Sequence, residues 1–210
     1  MAGQEQVLVV ERKIFEDIGI FQGLQFDVDK YIRKLFVSGV PRFMPRSKVE
    51  KDPSFKQLIP YVIMSHNGKY LTYIRGTRAG EERLVAKRSI GIGGHINPAD
   101  DMPLFNANFY ETYLAAVERE VAEEISVETS HTDSIVAMLN DESNEVGSVH
   151  LGIVHFWTLD EPKVARKEQM ITQITFMTPA QLQQVRHTME TWSQLCLSGL
   201  DEMAKRKKSA

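Results

Sequence analysis

The stretch that most constrains this chain is Glu111 to Val127, which reads ETYLAAVEREVAEEISV. At 100° per residue, four apolar side chains of this stretch fall in one narrow stripe, as in an amphipathic helix. They are Leu114, Val117, Val121 and Ile125. A neighbouring arc of about 100° holds Glu120, Glu123 and Glu124. The sequence therefore predicts a helix that packs on one face and presents three carboxylates on another.

Three like charges on one helical arc need an explanation. Glutamates three and four residues apart destabilise a helix by a few tenths of a kcal/mol per pair. Magnesium and manganese take oxygen ligands, so carboxylates converging from one rigid helix are suited to hold one or two such ions. The alternative is a solvated acidic face that Arg119 partly neutralises, since charged faces are common. The sequence on either side of the helix is needed to distinguish these two interpretations.

Composition excludes several classes of protein. Hydrophobic residues make up 42 % of the 210 residues and charged residues 25 %, which is typical of a soluble globular chain. A net charge of -3 gives no general attraction to nucleic acid or to anionic membranes. No run of about 18 apolar residues or signal-peptide core is present. We therefore expect a cytoplasmic protein with no membrane or nucleic-acid partner.

The single cysteine, Cys196, excludes an internal disulfide and does not form a cysteine-based zinc site by itself. It lies inside the apolar helical pattern LCLSGL. This setting favours a small buried hydrophobic residue over a nucleophile.

Residues 1–59 are predicted to form an N-terminal extension that packs on the main body. QVLVVERKIF is typical of a strand, and FDVDKYIRKLF of a short helix with Asp27 or Asp29 near its start. The segment from Val40 to Pro60 holds four prolines, which favours an extended or turning connection rather than a helix. Phe43, Phe55 and Leu58 are its candidates for packing.

Residues 60–210 are predicted to form the main domain, with a C-terminal helix. Two strands should meet at Asn67-Gly68, a dipeptide favoured in tight hairpins. RLVAKRSIGIGGHI predicts a further strand before the acidic helix, and SIVAMLND, VHLGIVHFWTLD and MITQITFMT predict strands after it. Thr178 should cap a helix that begins at Pro179, and a last helix should run from about Met189 to Ala204. The fold class is therefore α/β with a mixed sheet.

The start of the acidic helix also has a recognisable signal. Asn108 and Glu111 have the spacing of a capping box, in which each side chain accepts a hydrogen bond from the backbone of the other residue. Thr112 is the alternative cap of a slightly shorter helix.

The residues REVAEEISV, from Arg119 to Val127, resemble the signature of the Nudix hydrolases, R-E-U-x-E-E-x-G-U, where U is a bulky aliphatic residue. Glu111 also lies eight residues before Arg119, as that signature requires. The resemblance covers about residues 60–185 and implies a Nudix α/β/α sandwich. It further implies a MutT-like phosphoesterase or pyrophosphohydrolase that uses magnesium or manganese to cleave a diphosphate linked to another group.

Two positions depart from this signature. Its leading glycine would fall at Phe105, whereas Gly93 and Gly94 lie about eleven residues upstream. We infer an insertion at about residues 95–105, which contains Asp100 and Asp101. The second departure is Ser126, where the family has glycine; a left-handed backbone there would cost serine about 1–2 kcal/mol.

Carried over position by position, the resemblance implies a role for each charged residue of the signature. Glu120, Glu123 and Glu124 would bind the metal, with the carbonyl oxygen of Gly93 or Gly94 as an additional ligand. Glu111 would pair with Arg119 and hold the loop against the helix. Glu120 and Glu124 would thus be catalytic, and Arg119 and Glu111 would support them.

Other residues are candidates for substrate contacts and proton transfer. Glu120, or Glu142 or Glu145 in a later loop, is a candidate general base, although loop acids are often only solvated. The basic residues on the strands and turns before Gly93 and Gly94 are candidates for phosphate contacts. The alternative for each is an ordinary surface charge. These cations are Arg75, Arg78, Lys87 and Arg88. His95 and His150 are expected to be structural rather than metal ligands.

Three functions stay open on the sequence. The leading hypothesis is hydrolysis of a phosphoanhydride in a small molecule such as a nucleoside diphosphate derivative. The alternative is a non-catalytic ligand-binding or sensor module of the same fold. Isopentenyl-diphosphate isomerase chemistry would need a catalytic cysteine, and only Cys196 is available. A homodimer is compatible with the resemblance, but no residue specifies it.

Overall fold

The computed structural model describes residues 5–76, 86–100, 108–167 and 171–207. The chain forms a mixed sheet with helices, as the predicted α/β class requires. The helices are α1 Arg12–Ile18, α2 Val28–Leu35, α3 Arg46–Val49, α4 Phe109–Glu124, α5 Glu145–Ser148, α6 Pro179–Gln184 and α7 Thr191–Arg206. The strands are β1 Gln6–Glu11, β2 Gly23–Gln25, β3 Arg42–Pro45, β4 Phe55–His66, β5 Lys69–Arg75, β6 Arg88–Ser89, β7 Gly91–Ile92, β8 Ile125–Val127, β9 His131–Asn140, β10 His150–Leu159, β11 Val164–Arg166 and β12 Ile171–Met177. The main path of the large sheet has the order β12-β5-β4-β10-β9-β2, and β8 and β11 form a separate pair.

The chain divides into two compact units. Unit one contains residues 1–60, 94–119 and 137–153, and unit two contains residues 61–93, 120–136 and 154–210. Helix α4 and strands β4, β9 and β10 contribute residues to both units. The sequence-based division into 1–59 and 60–210 stays a prediction.

Unit one contains the N-terminal strands. β1 pairs antiparallel with β3 and with the start of β4, and Val7, Val9 and Val49 form a buried cluster between them. Phe55 packs against this cluster, as expected. The strand predicted over QVLVVERKIF ends at Glu11, because helix α1 follows directly. The predicted helix in FDVDKYIRKLF is present as α2, with Asp27 at its N-cap position.

The proline-containing segment after α2 is ordered, but it departs from the prediction in two ways. It includes the short helix α3, and strand β4 begins at Phe55 and continues through Pro60. Phe43 contacts the ring of Phe109 at 5.9 Å between centroids. Leu58 is buried, as expected.

The hairpin of unit two is confirmed. β4 and β5 pair antiparallel and are joined by Asn67 and Gly68, both of which have positive φ angles, 48° and 72°. This left-handed backbone at both positions is typical of a type I′ turn, in which Asn-Gly is preferred. A turn of this kind fixes the register of the two strands.

The strand predicted over RLVAKRSIGIGGHI is divided into two short strands, β6 and β7, with Ile90 between them. β6 pairs with β5, and β7 pairs with β4. At Gly91 a Cβ atom would overlap the ring of Tyr61, so the close approach of these strands requires glycine. The residues before Ala86 in this stretch lie outside the described ranges.

The C-terminal helices agree with the sequence. Thr178 caps α6 by accepting a hydrogen bond from the Gln181 amide, and Gln181 completes a capping box. Helix α7 begins at Thr191 and ends at Arg206, each within about two residues of the prediction. Cys196 is fully buried, which confirms the prediction that it packs as a small hydrophobic residue. Across the described ranges, no helix combines enough length with enough apolar character to cross a bilayer.

Replacing Gly91 with alanine should lower the free energy of unfolding by about 1–3 kcal/mol, because the added methyl group must displace the buried Tyr61 ring. Urea denaturation measures this loss. The same substitution in a Tyr61→Ala background is the control, since the ring is then absent and the cost of Gly91→Ala should shrink. An equal cost in both backgrounds would contradict the assigned contact.

Candidate functional site

Helix α4 ends earlier than expected, and its buried side is rotated toward the glutamates. It stops at Glu124, and Ile125 to Val127 form strand β8 instead. Leu114, predicted to pack, is 37 % exposed, whereas Tyr113 is fully buried. Val117, Val121 and Ile125 are buried, as predicted, and the buried side of the helix extends toward the acidic arc.

Two of the three glutamates point toward the protein. At 100° per residue, Glu120 and Glu124 each lie within about 20° of the direction of Tyr113. Both are half-buried, whereas Glu123 is exposed. The arrangement therefore differs from a fully solvated acidic face.

Lys167 supports the C-terminal end of this helix. Its backbone amide donates to the Glu124 carbonyl oxygen at 3.1 Å, and its ammonium group donates to the Ala122 carbonyl oxygen at 3.0 Å. The last carbonyl groups of a helix lack partners within it, and a cation there also opposes the helix dipole. Lys167 thus fixes the end of the segment that carries the glutamates.

The start of α4 is capped as the sequence predicts. Asn108 Oδ1 accepts hydrogen bonds from the amides of Tyr110 and Glu111, both at 3.0 Å. In return, Glu111 Oε2 accepts from the Asn108 amide at 3.1 Å. The Glu111 carboxylate is therefore engaged at the first turn of the helix.

Asp100 binds the arginine of the signature. The Arg119 guanidinium group donates to both carboxylate oxygens of Asp100, at 2.9 Å for the Nη2–Oδ2 pair, and to the carbonyl oxygen of His95 at 2.9 Å. Asp100 is only 5 % exposed and also accepts from the Asn97 amide. The role of Asp100 was not predicted, although it lies in the inserted segment. The pairing of Arg119 with Glu111 stays a prediction beside these contacts.

The two histidines near the glycines form a hydrogen-bonded pair. His150 Nδ1 donates to the Val146 carbonyl oxygen at 2.6 Å, which leaves its Nε2 to accept from His95 Nε2 at 3.3 Å. Burial lowers the pKa of His95 to about 3, and the nearby Arg46 and His150 side chains act in the same direction. These contacts assign both side chains to the packing of unit one.

The glycines that precede the insertion follow strand β7. Gly93 and Gly94 are half-buried and lie outside any helix or strand. Upstream, the Gly91 carbonyl oxygen accepts from the Tyr73 hydroxyl and the Ser89 hydroxyl, both at 2.9 Å. These bonds fix the strand that leads to Gly93.

Within the part of the chain that the structure describes, no three His, Cys, Asp or Glu side chains are arranged to enclose a metal ion. Oxygen atoms from Glu120, Glu123 and Glu124 have the chemistry that a hard divalent cation requires. The helix therefore supplies suitable donors but not a closed cage.

Arg75, a candidate phosphate ligand, is bound to a buried carboxylate in unit two. Its Nε atom lies 3.2 Å from Glu190 Oε2. The neighbouring Tyr73 contributes most to raising the pKa of Arg75; burial opposes this effect, while Glu190 and Glu124 add to it. Glu190 also accepts from the hydroxyl groups of Tyr61 and Ser89. Arg75 is therefore part of a buried polar network.

Arg88 differs from the other candidate cations. Its Nε and Nη1 atoms are buried and have no hydrogen-bond partner among the described residues. Burial lowers its pKa. Lys87 is exposed, and Arg78 lies outside the described residues. Arg88 thus has guanidinium donors available for an anion.

The two candidate acids of the later loop have different surroundings. Glu142 Oε1 lies 2.6 Å from the ammonium group of Lys56, and Glu142 Oε2 lies 3.2 Å from the guanidinium group of Arg12. Burial acts to raise the pKa of Glu142, but the hydrogen bonds and charges of Lys56 and Arg12 outweigh burial and lower it. Glu145 is exposed in the first turn of α5. Glu142 is therefore a weakened base.

Cys196 is unsuited to nucleophilic chemistry. Its thiol is fully buried, and burial raises its pKa, with a further contribution from the charge of Glu190. A thiol held in the neutral form is a poor nucleophile. This setting argues against the isomerase hypothesis.

No family model matches the chain. The protein YmaB of Bacillus subtilis (strain 168) is 31 % identical over 206 residues, which cover 94 % of this chain and 98 % of YmaB. The crystal structure of Tm1382, named as a candidate Nudix hydrolase, superposes with a TM-score of 0.75 and 27 % identity. That match covers 93 % of this chain and 98 % of Tm1382.

A bifunctional NMN adenylyltransferase/ADP ribose pyrophosphatase from Francisella tularensis, in complex with AMP and a manganese ion, shows the same fold. Its TM-score is 0.50 at 11 % identity, over 70 % of this chain and 42 % of that chain.

The likeness to YmaB and Tm1382 also covers the N-terminal region. Each match leaves out only 6 or 7 % of this chain, which is far less than residues 1–59. Most of the predicted extension is therefore shared with these relatives. This extension lies outside residues 60–185, to which the resemblance based on the signature applies.

Replacing Asp100 with asparagine should lower the free energy of unfolding by about 1–3 kcal/mol, because it removes the charge that Arg119 binds. Chemical denaturation measures the loss. Asp29→Asn is the matched control, since it removes the same charge from a highly exposed pair with Arg33 and should change stability by less than about 0.5 kcal/mol. Equal losses would contradict the role of Asp100.

The lowered pKa of Glu142 predicts a pH dependence of stability. In the unfolded chain the carboxylate takes up its proton near its ordinary value of 4.5, whereas in the folded chain it stays ionised to lower pH. Its contribution is therefore present above pH 4.5 and is lost as the pH falls below that value. Glu142→Gln should make the melting temperature less dependent on pH in this acid range.

Thermal melts between about pH 7 and pH 3 test this dependence, because carboxylates titrate in this range. Glu145→Gln removes an exposed carboxylate of the same loop and should retain the wild-type profile. An unchanged profile in Glu142→Gln would contradict the prediction.

Proposed function

The chain belongs to the Nudix hydrolase family, and on that premise we propose that it hydrolyses the phosphoanhydride bond of a small-molecule diphosphate with the help of a divalent cation. The observation that carries this proposal is helix α4, which holds Arg119, Glu120, Glu123 and Glu124 on one continuous element. The half-burial of Glu120 and Glu124 supports it, because it places their carboxylates on the protein-facing side of this helix.

The proposed cation is magnesium or manganese. The residues that would hold it are Glu120, Glu123 and Glu124, together with the carbonyl oxygen of Gly93 or Gly94. Magnesium usually keeps several water molecules and substrate phosphates among its ligands, so one or two of these carboxylates would be enough to hold it. When bound there, a divalent cation would supply charge neutralisation for the diphosphate and activation of a water molecule.

Asp100 and Arg119 have a positioning role in this proposal. Their ion pair ties the inserted segment to the middle of α4, one residue before Glu120. Glu111 contributes by capping the same helix at its start. Together these contacts hold the helix that carries the metal ligands.

Arg88 is the proposed contact for a substrate phosphate. Its buried guanidinium donors lack a protein partner among the described residues, and planar guanidinium groups bind phosphate with two hydrogen bonds. Arg75 is already bound to Glu190, so it acts mainly through that buried network. Lys87 is a secondary candidate because its exposed ammonium group is mobile and strongly hydrated.

Glu120 or Glu145 is the proposed general base. Glu142 is less suited, because two cations hold its carboxylate and lower its pKa, which reduces its tendency to take a proton from water. Its assigned role is structural.

The proposed substrate class is a nucleoside diphosphate derivative. The Francisella tularensis protein shares only the fold, but its name and bound AMP make ADP-ribose a sensible member of a test panel. The homodimer and the cytoplasmic location stay predictions.

Hydrolysis should require magnesium or manganese, and Glu124→Gln should reduce turnover to background because it removes one proposed metal ligand. The measurement is release of phosphate or of a nucleoside monophosphate from a panel of diphosphates that includes ADP-ribose. Glu118→Gln is the matched control, since it removes an exposed carboxylate from the same helix and should retain activity.

Two outcomes would contradict the proposal. The first is full activity in Glu124→Gln. The second is binding of a diphosphate by folded wild-type protein without any hydrolysis when either metal is added. This second result would favour the ligand-binding or sensor module of the same fold.

A further inference from the structure

Lys56 is a buried cation in unit one. Its side chain is 0 % exposed, and its ammonium group lies 5.7 Å from the centroid of the buried Phe15 ring. Burial is the main cause that lowers the pKa of Lys56, while Glu142 opposes that effect. A lysine in such a position is costly unless oxygen atoms surround its ammonium group.

Four oxygen atoms surround this ammonium group. They belong to one stretch, residues 140–150, which we call the acidic loop. The distances from Lys56 Nζ are 2.8 Å to Asn140 Oδ1, 2.6 Å to Glu142 Oε1, 3.3 Å to the Gly147 carbonyl oxygen and 3.4 Å to the His150 carbonyl oxygen. The four oxygen atoms therefore surround the ammonium group as they would surround a small monovalent cation.

The acidic loop folds tightly around this centre. A Cβ atom on Gly147 would overlap the Asp141 carbonyl oxygen, so the two ends of the turn are in direct contact. Asn144 Oδ1 accepts from the Gly147 amide at 2.9 Å and caps the short helix α5. The backbone of the loop is thus folded so that several of its oxygen atoms point at the Lys56 ammonium group.

Other N-terminal residues hold the same loop. Gln22 donates to Asp141 Oδ1 at 3.0 Å and accepts from the Glu142 amide at 2.9 Å. Arg12 donates to Glu142 and to the Ser148 carbonyl oxygen. The N-terminal region therefore contributes directly to the structure of the acidic loop.

We propose that Lys56 is a positioning residue whose ammonium group orders the acidic loop, which carries Glu142 and the candidate base Glu145. This role in turnover rests on the proposed hydrolase function. The ordering of the loop by a cation is a separate property of unit one. It is tested without any substrate.

The test compares Lys56→Ala with Lys56→Met. Alanine leaves space beside the four oxygen atoms, whereas methionine fills the path of the side chain without supplying a charge. Amide hydrogen exchange in residues 141–148 should become at least about tenfold faster in both variants, because the backbone bonds of the loop lose their shared cation. Ammonium chloride should slow this exchange again in Lys56→Ala but not in Lys56→Met.

Tetramethylammonium chloride at the same concentration is the salt control, because this cation is too large and cannot donate hydrogen bonds. If Lys56→Ala unfolds in plain buffer, ammonium chloride should restore its circular dichroism and tetramethylammonium chloride should not. Unchanged exchange in Lys56→Ala, or an equal response to both salts, overturns the proposal.

Measurements of turnover distinguish the ordering of the loop from its effect on hydrolysis. If the wild-type protein hydrolyses a diphosphate, Lys56→Ala should lose about tenfold to a hundredfold in kcat, with a smaller change in KM and partial recovery in ammonium chloride. An unchanged kcat despite faster exchange overturns the positioning role. If the wild-type protein hydrolyses nothing, the proposed function fails, and the exchange experiment still decides whether the cation orders the loop.

Discussion

Burial of charge is the constraint on which much of this structure depends. A buried ionised group is stable only when an opposite charge and hydrogen bonds replace the water it has lost. Three buried charged groups meet this condition through long-range pairs: Lys56 with Glu142, Asp100 with Arg119, and Glu190 with Arg75. Each pair fixes a different part of the chain, namely the acidic loop, the middle of helix α4 and the start of helix α7. Removing one partner would leave the other charge buried without compensation, which is strongly destabilising.

The same constraint separates structural charges from functional ones. Arg75 and Glu142 both looked like site residues in the sequence, but each has its counter-charge within its own unit. Arg88 has buried donors without a partner among the described residues, which is expensive unless a ligand completes them. Glu120 and Glu124 are half-buried on helix α4. Their role as metal ligands, like the phosphate contact of Arg88, stays a proposal.

Local chemistry made part of the fold predictable, and long-range contacts made the rest unpredictable. The Asn67-Gly68 turn and the Asn108 cap depend on residues within a few positions of one another, and both agree with the structure. The predicted apolar stripe of α4 is confirmed at Val117, Val121 and Ile125 but is wrong at Leu114, because tertiary packing buries Tyr113 instead. Asp100 has no local pattern that marks it, since its partner is nineteen residues away. The role of the N-terminal region was equally hidden, because it is defined by its contacts with residues 140–150.

Ser126 shows how a departure from a signature can be neutral. The chain passes from α4 into β8 without an intervening residue, and Ser126 pairs with Ala165 in extended conformation. Its φ angle is not positive, so the cost of a left-handed serine does not arise. The backbone at this position therefore accepts a side chain with a Cβ atom. The serine gives no steric reason to expect a disturbed end of the helix that carries the glutamates.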